Sequence, residues 1–181
     1  YSSDNVTVID GATNDTTTVS IGRNPWAVAE NPLTNKIYVA SQGGTDVTVI
    51  DGATNDTTTV PAGGSPSGVA VNPVTNKIYV AYGASTGTVT VIDGADNTTT
   101  TVQAGTSSRS VAVNPVTNKV YVANHFSDNV TVIDGATNGT LTVGAGNAPI
   151  AVAVNPVTNK VYVARARPGA GDVTVIEIGR A

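Results

Sequence analysis

Apolar and polar positions along this chain alternate in short runs. Val6-Thr7-Val8-Ile9, Ile78-Tyr79-Val80-Ala81 and Val89-Thr90-Val91-Ile92 are typical, and each has Gly, Asn or Asp within two residues of both ends. Runs of this kind, rich in β-branched and aromatic side chains and bounded by turn formers, read as strands. No segment shows the 3.6-residue apolar period of an amphipathic helix. No apolar run approaches the roughly 20 residues of a membrane span.

The runs recur in phase. Asn-Pro-Leu/Val-Thr-Asn-Lys stands at Asn31–Lys36, Asn72–Lys77, Asn114–Lys119 and Asn155–Lys160, at spacings of 41, 42 and 41. Val-Thr-Val-Ile begins at Val6, Val47, Val89, Val130 and Val173, at spacings of 41, 42, 41 and 43. A strand-rich repeat of about 42 residues is the period of a β-propeller blade. The rungs of a parallel β-helix, the competing solenoid, are shorter.

One unit divides into four strands, A to D. In the second unit these fall at Ser67–Asn72, Lys77–Ala81, Val89–Asp93 and Thr98–Val102. Pro73 and Asn76 mark the A–B turn, and Asp93-Gly94-Ala95-Asp96-Asn97 the C–D turn. Strand A is small and apolar (Ala151-Val152-Ala153-Val154), strand B is apolar on both faces, and strand D is Thr-rich (Thr16-Thr17-Thr18-Val19). Radially packed blades demand that inner-to-outer gradient. It predicts Tyr38, Tyr79, Tyr121 and Tyr162 of the B strands buried between blades.

Composition narrows the class further. Val (30) and Thr (28) dominate, and charged residues make up 12%. There is no Cys, which excludes a disulfide framework, a thiolate metal site and a cysteine nucleophile. The net charge of −4 argues against a nucleic-acid partner. The chain begins at Tyr1, so a processed form or an excerpt is expected.

With Tyr38-Val39-Ala40, Tyr79-Val80-Ala81, Tyr121-Val122-Ala123-Asn124 and Tyr162-Val163-Ala164 recurring in phase with Val-x-Val-Ile-Asp, the chain resembles the YVTN family of β-propeller repeats. The resemblance runs over essentially the whole sequence. That family occurs in bacterial and archaeal exported and surface-layer proteins. The resemblance implies an all-β propeller of four-stranded antiparallel blades and an extracellular or cell-surface setting. It implies no catalytic residues and no cofactor.

The expected domain is one propeller over residues 1–181, with four blades plus one extra strand and partial blades at both termini. The chain starts in strands C and D and ends in A, B and C. The N-terminal C–D pair could complete the C-terminal A–B pair, leaving the Val173 strand surplus. Alternatively that strand is used and Val6–Asp10 is displaced. Self-association, or neighbouring repeats of a larger propeller, is the expected partner.

The D–A and B–C loops share one face, where the copies differ. Just before strand A the equivalent positions hold Trp26, Ser67, Arg109 and Ile150. Arg23, Tyr82, His125, Phe126, Arg165 and Arg167 fall in the same loops. Large aromatics anchor interfaces, and Arg recognises carboxylate, phosphate or sulfated groups in bidentate fashion. These eight non-repeating residues (Arg23, Trp26, Tyr82, Arg109, His125, Phe126, Arg165, Arg167) are the candidate contacts to a glycan or protein. The opposite face is uniform, with Lys36, Lys77, Lys119 and Lys160 beside Asp10, Asp51, Asp93 and Asp134 in self-capping turns.

His125, Ser127 and Asp128 are adjacent in one loop, which does not make a catalytic triad. An enzyme acting at the channel mouth, lactonase- or lyase-like, is the alternative to a non-catalytic module. Asn-x-Thr tripeptides at Asn5, Asn14, Asn55, Asn97, Asn129 and Asn138 satisfy the acceptor rule for N-glycosylation in an exported protein.

Overall fold

A computed structural model describes residues 3–83, 87–166 and 173–177. Its strands lie in five antiparallel sheets. The first is a hairpin of β1 (Asn5–Ile9) and β2 (Thr16–Ser20). Three complete blades follow. The first blade contains β3 (Pro25–Asn31), β4 (Lys36–Ser41), β5 (Asp46–Asp51) and β6 (Thr57–Pro61). The second contains β7 (Pro66–Asn72), β8 (Lys77–Tyr82), β9 (Thr88–Asp93) and β10 (Thr99–Gln103). The third contains β11 (Ser108–Asn114), β12 (Lys119–Asn124), β13 (Asn129–Asp134) and β14 (Thr140–Gly144). The last sheet has β15 (Pro149–Asn155), β16 (Lys160–Arg165) and β17 (Val173–Glu177).

The fold is a β-propeller of four-stranded antiparallel blades. Each blade is a meander in chain order, and β3, β7, β11 and β15 adjoin one another as its inner strands. The Thr-rich outer strands face water, with one inward Val each: Val19, Val60 and Val102 are buried.

The core is three repeats of one inter-blade interface. Tyr38 packs with Ile78 and Val80, with Val69 against the cluster, and Tyr79 packs with Val111, Val120 and Val122. Tyr121 packs with Val152, Val161 and Val163. Each interface therefore joins the tyrosine face of one blade to the valine face of the next. Tyr38, Tyr79 and Tyr121 are fully buried. Tyr162 is not. It is 38% exposed, because no described blade follows β15–β17 to cover it, and its expected burial is corrected here.

β17 takes the third position of the last sheet, pairing Val161 with Ile176 and Tyr162 with Val175. The β1–β2 hairpin packs Val6, Val8, Val19 and Ile21 onto Val39 and Ile50 of the first blade. Among the described residues, the sheets form an arc with an uncovered apolar face at each end. Val28 on β3 is 63% exposed, although its counterparts Val111 and Val152 are both at 9%.

Candidate functional site

Every inner strand opens with the same irregularity. The residue before it lies in the left-handed region: Asn24 (φ 56°), Ser65 (53°), Ser107 (55°) and Ala148 (52°). Asn is at ease there, whereas Ser and Ala adopt it at a cost of roughly 1 kcal/mol each. The conformation points that residue's carbonyl at the loop following the second strand. It accepts the N–H of Gln42 (2.9 Å), Gly83 (3.3 Å), His125 (2.9 Å) or Ala166 (3.0 Å) in turn.

One residue later the register slips. Pro25 pairs with Ser41 and Ala27 with Ala40, so Trp26 has no partner across the strand pair. The same bulge skips Ser67, Arg109 and Ile150. A bulge re-aims the extra side chain and is enriched beside binding sites. Here the bulged residues differ from blade to blade and are set at the inner ends of the blades.

Three of these positions build a cleft of about 380 Å³ across the first three blades, lined by Trp26, Gln42, Ser65, Ser67, Gly83 and Arg109. Ser67 and Gly83 are small, and the large side chains stand on the flanking blades. Trp26 is 62% exposed and Arg109 is also exposed, so an indole and a guanidinium are both presented to solvent. Ser67 is committed to packing: its hydroxyl lies 2.6 Å from the Ser108 carbonyl on the next blade and donates to it.

A second cleft, also about 380 Å³, is lined by His125, Phe126, Asp128, Ala148 and Ala166. The His125 and Phe126 rings sit 5.1 Å apart at 46°. Phe126 is 69% exposed. Ser127 is tied into the preceding loop. Its hydroxyl oxygen accepts the Thr106 N–H at 2.7 Å and lies 2.9 Å from the Thr106 hydroxyl. Asp128 accepts the Ala148 N–H at 2.7 Å. These groups clamp two loops together rather than facing a common reacting atom.

Tyr82 does not belong to the face. It is 3% exposed, donates a hydrogen bond to Thr90 and packs under Gly63 of the preceding loop. Thr90 in turn donates to the Ala62 carbonyl at 2.7 Å. Tyr82 breaks the repeat as a core-filling residue, and burial pushes its hydroxyl pKa up. Arg23 is exposed, and its carbonyl holds the Gly43 N–H at 3.1 Å. Arg165 lies against Gly146. Arg167 is outside the described residues.

The opposite face carries a relay that sequence reasoning missed. Asn31, Asn72 and Asn114 end their inner strands fully buried. Each side-chain oxygen caps its own turn, accepting the N–H of Leu33, Val74 or Val116. Each side-chain amide crosses to the next blade at 2.8 Å, donating to Asn76, Asn118 or Asn159. Two of the receiving residues, Asn76 and Asn118, also accept through their backbone carbonyls the N–H of the glycine in their own Asp-Gly turns, Gly94 and Gly135, both at 2.8 Å. The repeated Asn-Pro-x-Thr-Asn is therefore an inter-blade clasp as well as a turn, and its even spacing was the signal.

The Asp side chains cap their own turns as expected: Asp10 accepts from Ala12 and Thr13, and Asp134 from Ala136 and Thr137. Lys119 pairs with Asp134 at 3.2 Å, and Lys77 reaches the Gly135 carbonyl at 3.0 Å. The Thr137 N–H above all, with Lys119 and the Ala136 N–H, holds the Asp134 carboxyl down at about 2.

Of the Asn-x-Thr positions, Asn14, Asn55, Asn97 and Asn138 occupy left-handed turn positions, with φ of 61–64°. Asn14 is exposed and the other three are half-buried. Asn5 starts β1, and Asn129 starts β13 beside the buried Asn124.

No known family's profile matches the chain, and no curated protein matches it. Solved structures do. A chain of Kuenenia stuttgartiensis hydrazine synthase superposes with a TM-score of 0.79 at 21% identity, over 85% of this chain and 46% of that one. A functionally unknown protein from Desulfotomaculum acetoxidans superposes with a TM-score of 0.77 at 16% identity, over 96% of this chain and 62% of that one. The chain thus spans about half to three-fifths of the length of these structures, and the likeness is one of fold.

Proposed function

We propose that this chain is a non-catalytic structural and interaction module of an exported or cell-surface protein, built from YVTN-type propeller repeats in a single propeller domain. One observation carries the reading. The scaffold repeats its tyrosines, Asn clasp and turns nearly unchanged, while its exposed aromatic and arginine substitutions fall at bulged and loop positions around the axis. The clamped Ser127 and Asp128 support binding over acid–base chemistry at that face, because both already serve loop packing. The Asn-x-Thr turns are compatible with an exported protein that carries glycans.

The cleft between Trp26 and Arg109 favours a more specific ligand. An exposed indole offers a flat apolar surface for a sugar ring, and a guanidinium pairs bidentately with carboxylate or sulfate. An acidic glycan presents both chemistries. Binding to a panel of uronate and sulfated oligosaccharides tests this. Trp26→Ser with Arg109→Ser, which copies the natural Ser67, is expected to lower affinity at least tenfold and leave the circular dichroism spectrum unchanged. Affinity should also fall with salt, since exposed charges are screened over about 10 Å at 0.1 M. Affinity unchanged by the double substitution but lost on altering Lys77 and Lys119 would place binding on the opposite face.

A further inference from the structure

The two clefts of the variable face are one place in the repeat, met twice. Gln42, Ser65 and Gly83 line the first, and the residues two repeats on from these, His125, Ala148 and Ala166, line the second. Each groove runs from the loop after the second strand of one blade to the left-handed residue that opens the next. The chemistry differs. The first loop continues as Gly43-Gly44-Thr45, and the equivalent stretch of the other is Phe126-Ser127-Asp128.

Phe126 is 69% exposed, and with the His125 ring 5.1 Å away it forms a two-ring wall. The His125 Nδ1 is buried, so Nε2 is the ring nitrogen left to the groove. Asp128 has a left-handed backbone (φ 55°), as does the Ala148 bonded to it (φ 52°). Non-glycine residues persist there only where the surroundings fix them, as in ligand clamps. The Asp128 Oδ1 takes the Ala148 N–H at 2.7 Å, which ties the carboxylate across the groove and leaves Oδ2 open among the described residues. None of the described lining residues is Lys or Arg. An apolar wall, a carboxylate acceptor and no cation turn away an anion and fit a group with an apolar face and hydroxyl donors. An uncharged pyranose has both: its C–H face covers an aromatic ring, and its hydroxyls donate to a carboxylate in the stronger, charge-assisted way.

We propose that the second cleft is a subsite for an uncharged pyranose ring, adjoining the acidic-sugar subsite at Arg109. By repeat position Arg109 stands beside the second groove as Trp26 stands beside the first. Ser107, two residues before Arg109, holds the His125 N–H at 2.9 Å and so couples the two sites. A glycan that mixes uronate and neutral units fills both. That pairing rests on the acidic-glycan reading of the first cleft, whereas the pyranose subsite itself does not.

NMR titrations of the full chain with methyl β-glucoside, glucuronate and putrescine separate the sites. Methyl glucoside should shift the Phe126 and Ala166 amides and leave the Trp26 indole unmoved, and glucuronate should do the reverse. Asp128→Asn keeps the oxygen that holds Ala148 and replaces only the open one. That variant and Phe126→Ala, at an exposed position, should abolish the glucoside shifts with the circular dichroism spectrum unchanged. Calorimetry tests the pairing. A hexasaccharide alternating glucuronate with N-acetylglucosamine should bind at least tenfold more tightly than hexagalacturonate. Asp128→Asn should erase that advantage and spare hexagalacturonate, while Trp26→Ser with Arg109→Ser should weaken both. No glucoside shifts, or shifts that survive both single substitutions, would overturn the subsite and leave the first cleft untouched. Shifts with putrescine instead of glucoside would make the groove a cation site and overturn it equally. Glucoside shifts without any glucuronate shift at Trp26 would uphold the subsite and defeat the acidic reading of the first cleft. Equal affinity for the two hexasaccharides would overturn the pairing.

Discussion

Four tyrosines share one motif and do not share one energy. Tyr79→Ala should cost about 3–5 kcal/mol, as for large aromatic truncations in cores, and Tyr38→Ala and Tyr121→Ala likewise. Tyr162→Ala should cost under about 1 kcal/mol in a single chain, because its ring is already part-exposed. Urea denaturation of the four variants distinguishes these outcomes. Tyr79 also reports on alkaline stability. Burial, and then the Asp134 charge, push its hydroxyl pKa up to about 12. A folded-state pKa raised above the unfolded value of about 10 stabilises fully below pH 10, and the contribution is lost as pH rises towards 12. The buried Tyr79 hydroxyl has no hydrogen-bond partner among the described residues. Tyr79→Phe should therefore be neutral or mildly stabilising at pH 7 and should flatten the alkaline transition. Asp134 works in the opposite sense. With its carboxyl held at about 2, its stabilisation is present above about pH 4 and fades as pH falls towards 2. Carboxyl NMR titration should find Asp134 protonating only as pH falls towards 2, with Asp134→Asn removing that part of the acid transition.

Strands and turns were largely legible in the sequence, and the reasons differ from element to element. The strand assignments at Ser67–Asn72, Lys77–Ala81, Val89–Asp93 and Thr98–Val102 fall within a residue of β7 to β10, because period-two patterning and turn residues agree. The bulges were not legible, since a register slip is defined by the partner strand, whose sequence gives no sign of it. Trp26 and Arg109 still stood out as repeat-breakers, whereas Tyr82 broke the repeat for packing reasons and was misread as a surface residue. The Asp-Gly turns conceal a similar point. Their positive φ falls on Asn55, Asn97 and Asn138, whereas the glycine makes room: a Cβ on Gly135 would lie 2.3 Å from the Asn118 side-chain oxygen. Gly11 occupies the same motif in the β1–β2 hairpin with nothing within 4 Å. Gly135→Ala should therefore destabilise by about 1–3 kcal/mol, in the range of a steric insult to a packed site, while Gly11→Ala should be close to neutral. Thermal melts of the two variants make the comparison within one protein.

At the scale of the molecule, stability should be distributed along the arc. The second blade, β7–β10, has a complete interface on both sides, whereas β1–β2 and β15–β17 each have one. Repeat arrays sum local and nearest-neighbour terms, and the units with fewest neighbours open first. Amide hydrogen exchange should find the slowest protons in β8 and β9 and the fastest in β17 and β1. Slowest exchange in a terminal sheet would contradict that ordering. The burial of Tyr162 was unreadable for the same reason: it depends on whether a neighbour is there, which the residue's own motif does not record.

The Asn clasp always runs one way. The buried Asn closing an inner strand gives its amide forward, and the Asn of the following turn receives it. Each unit of about 42 residues thus carries one forward donor and one rearward acceptor, a matched plug and socket. Unequal recombination within such a gene can insert or excise whole units, and every new junction meets the same pair of residues it would have met before. Length is then free to vary between generations without the invention of a single new contact, while a break that falls out of phase with the Asn pair leaves a donor facing nothing.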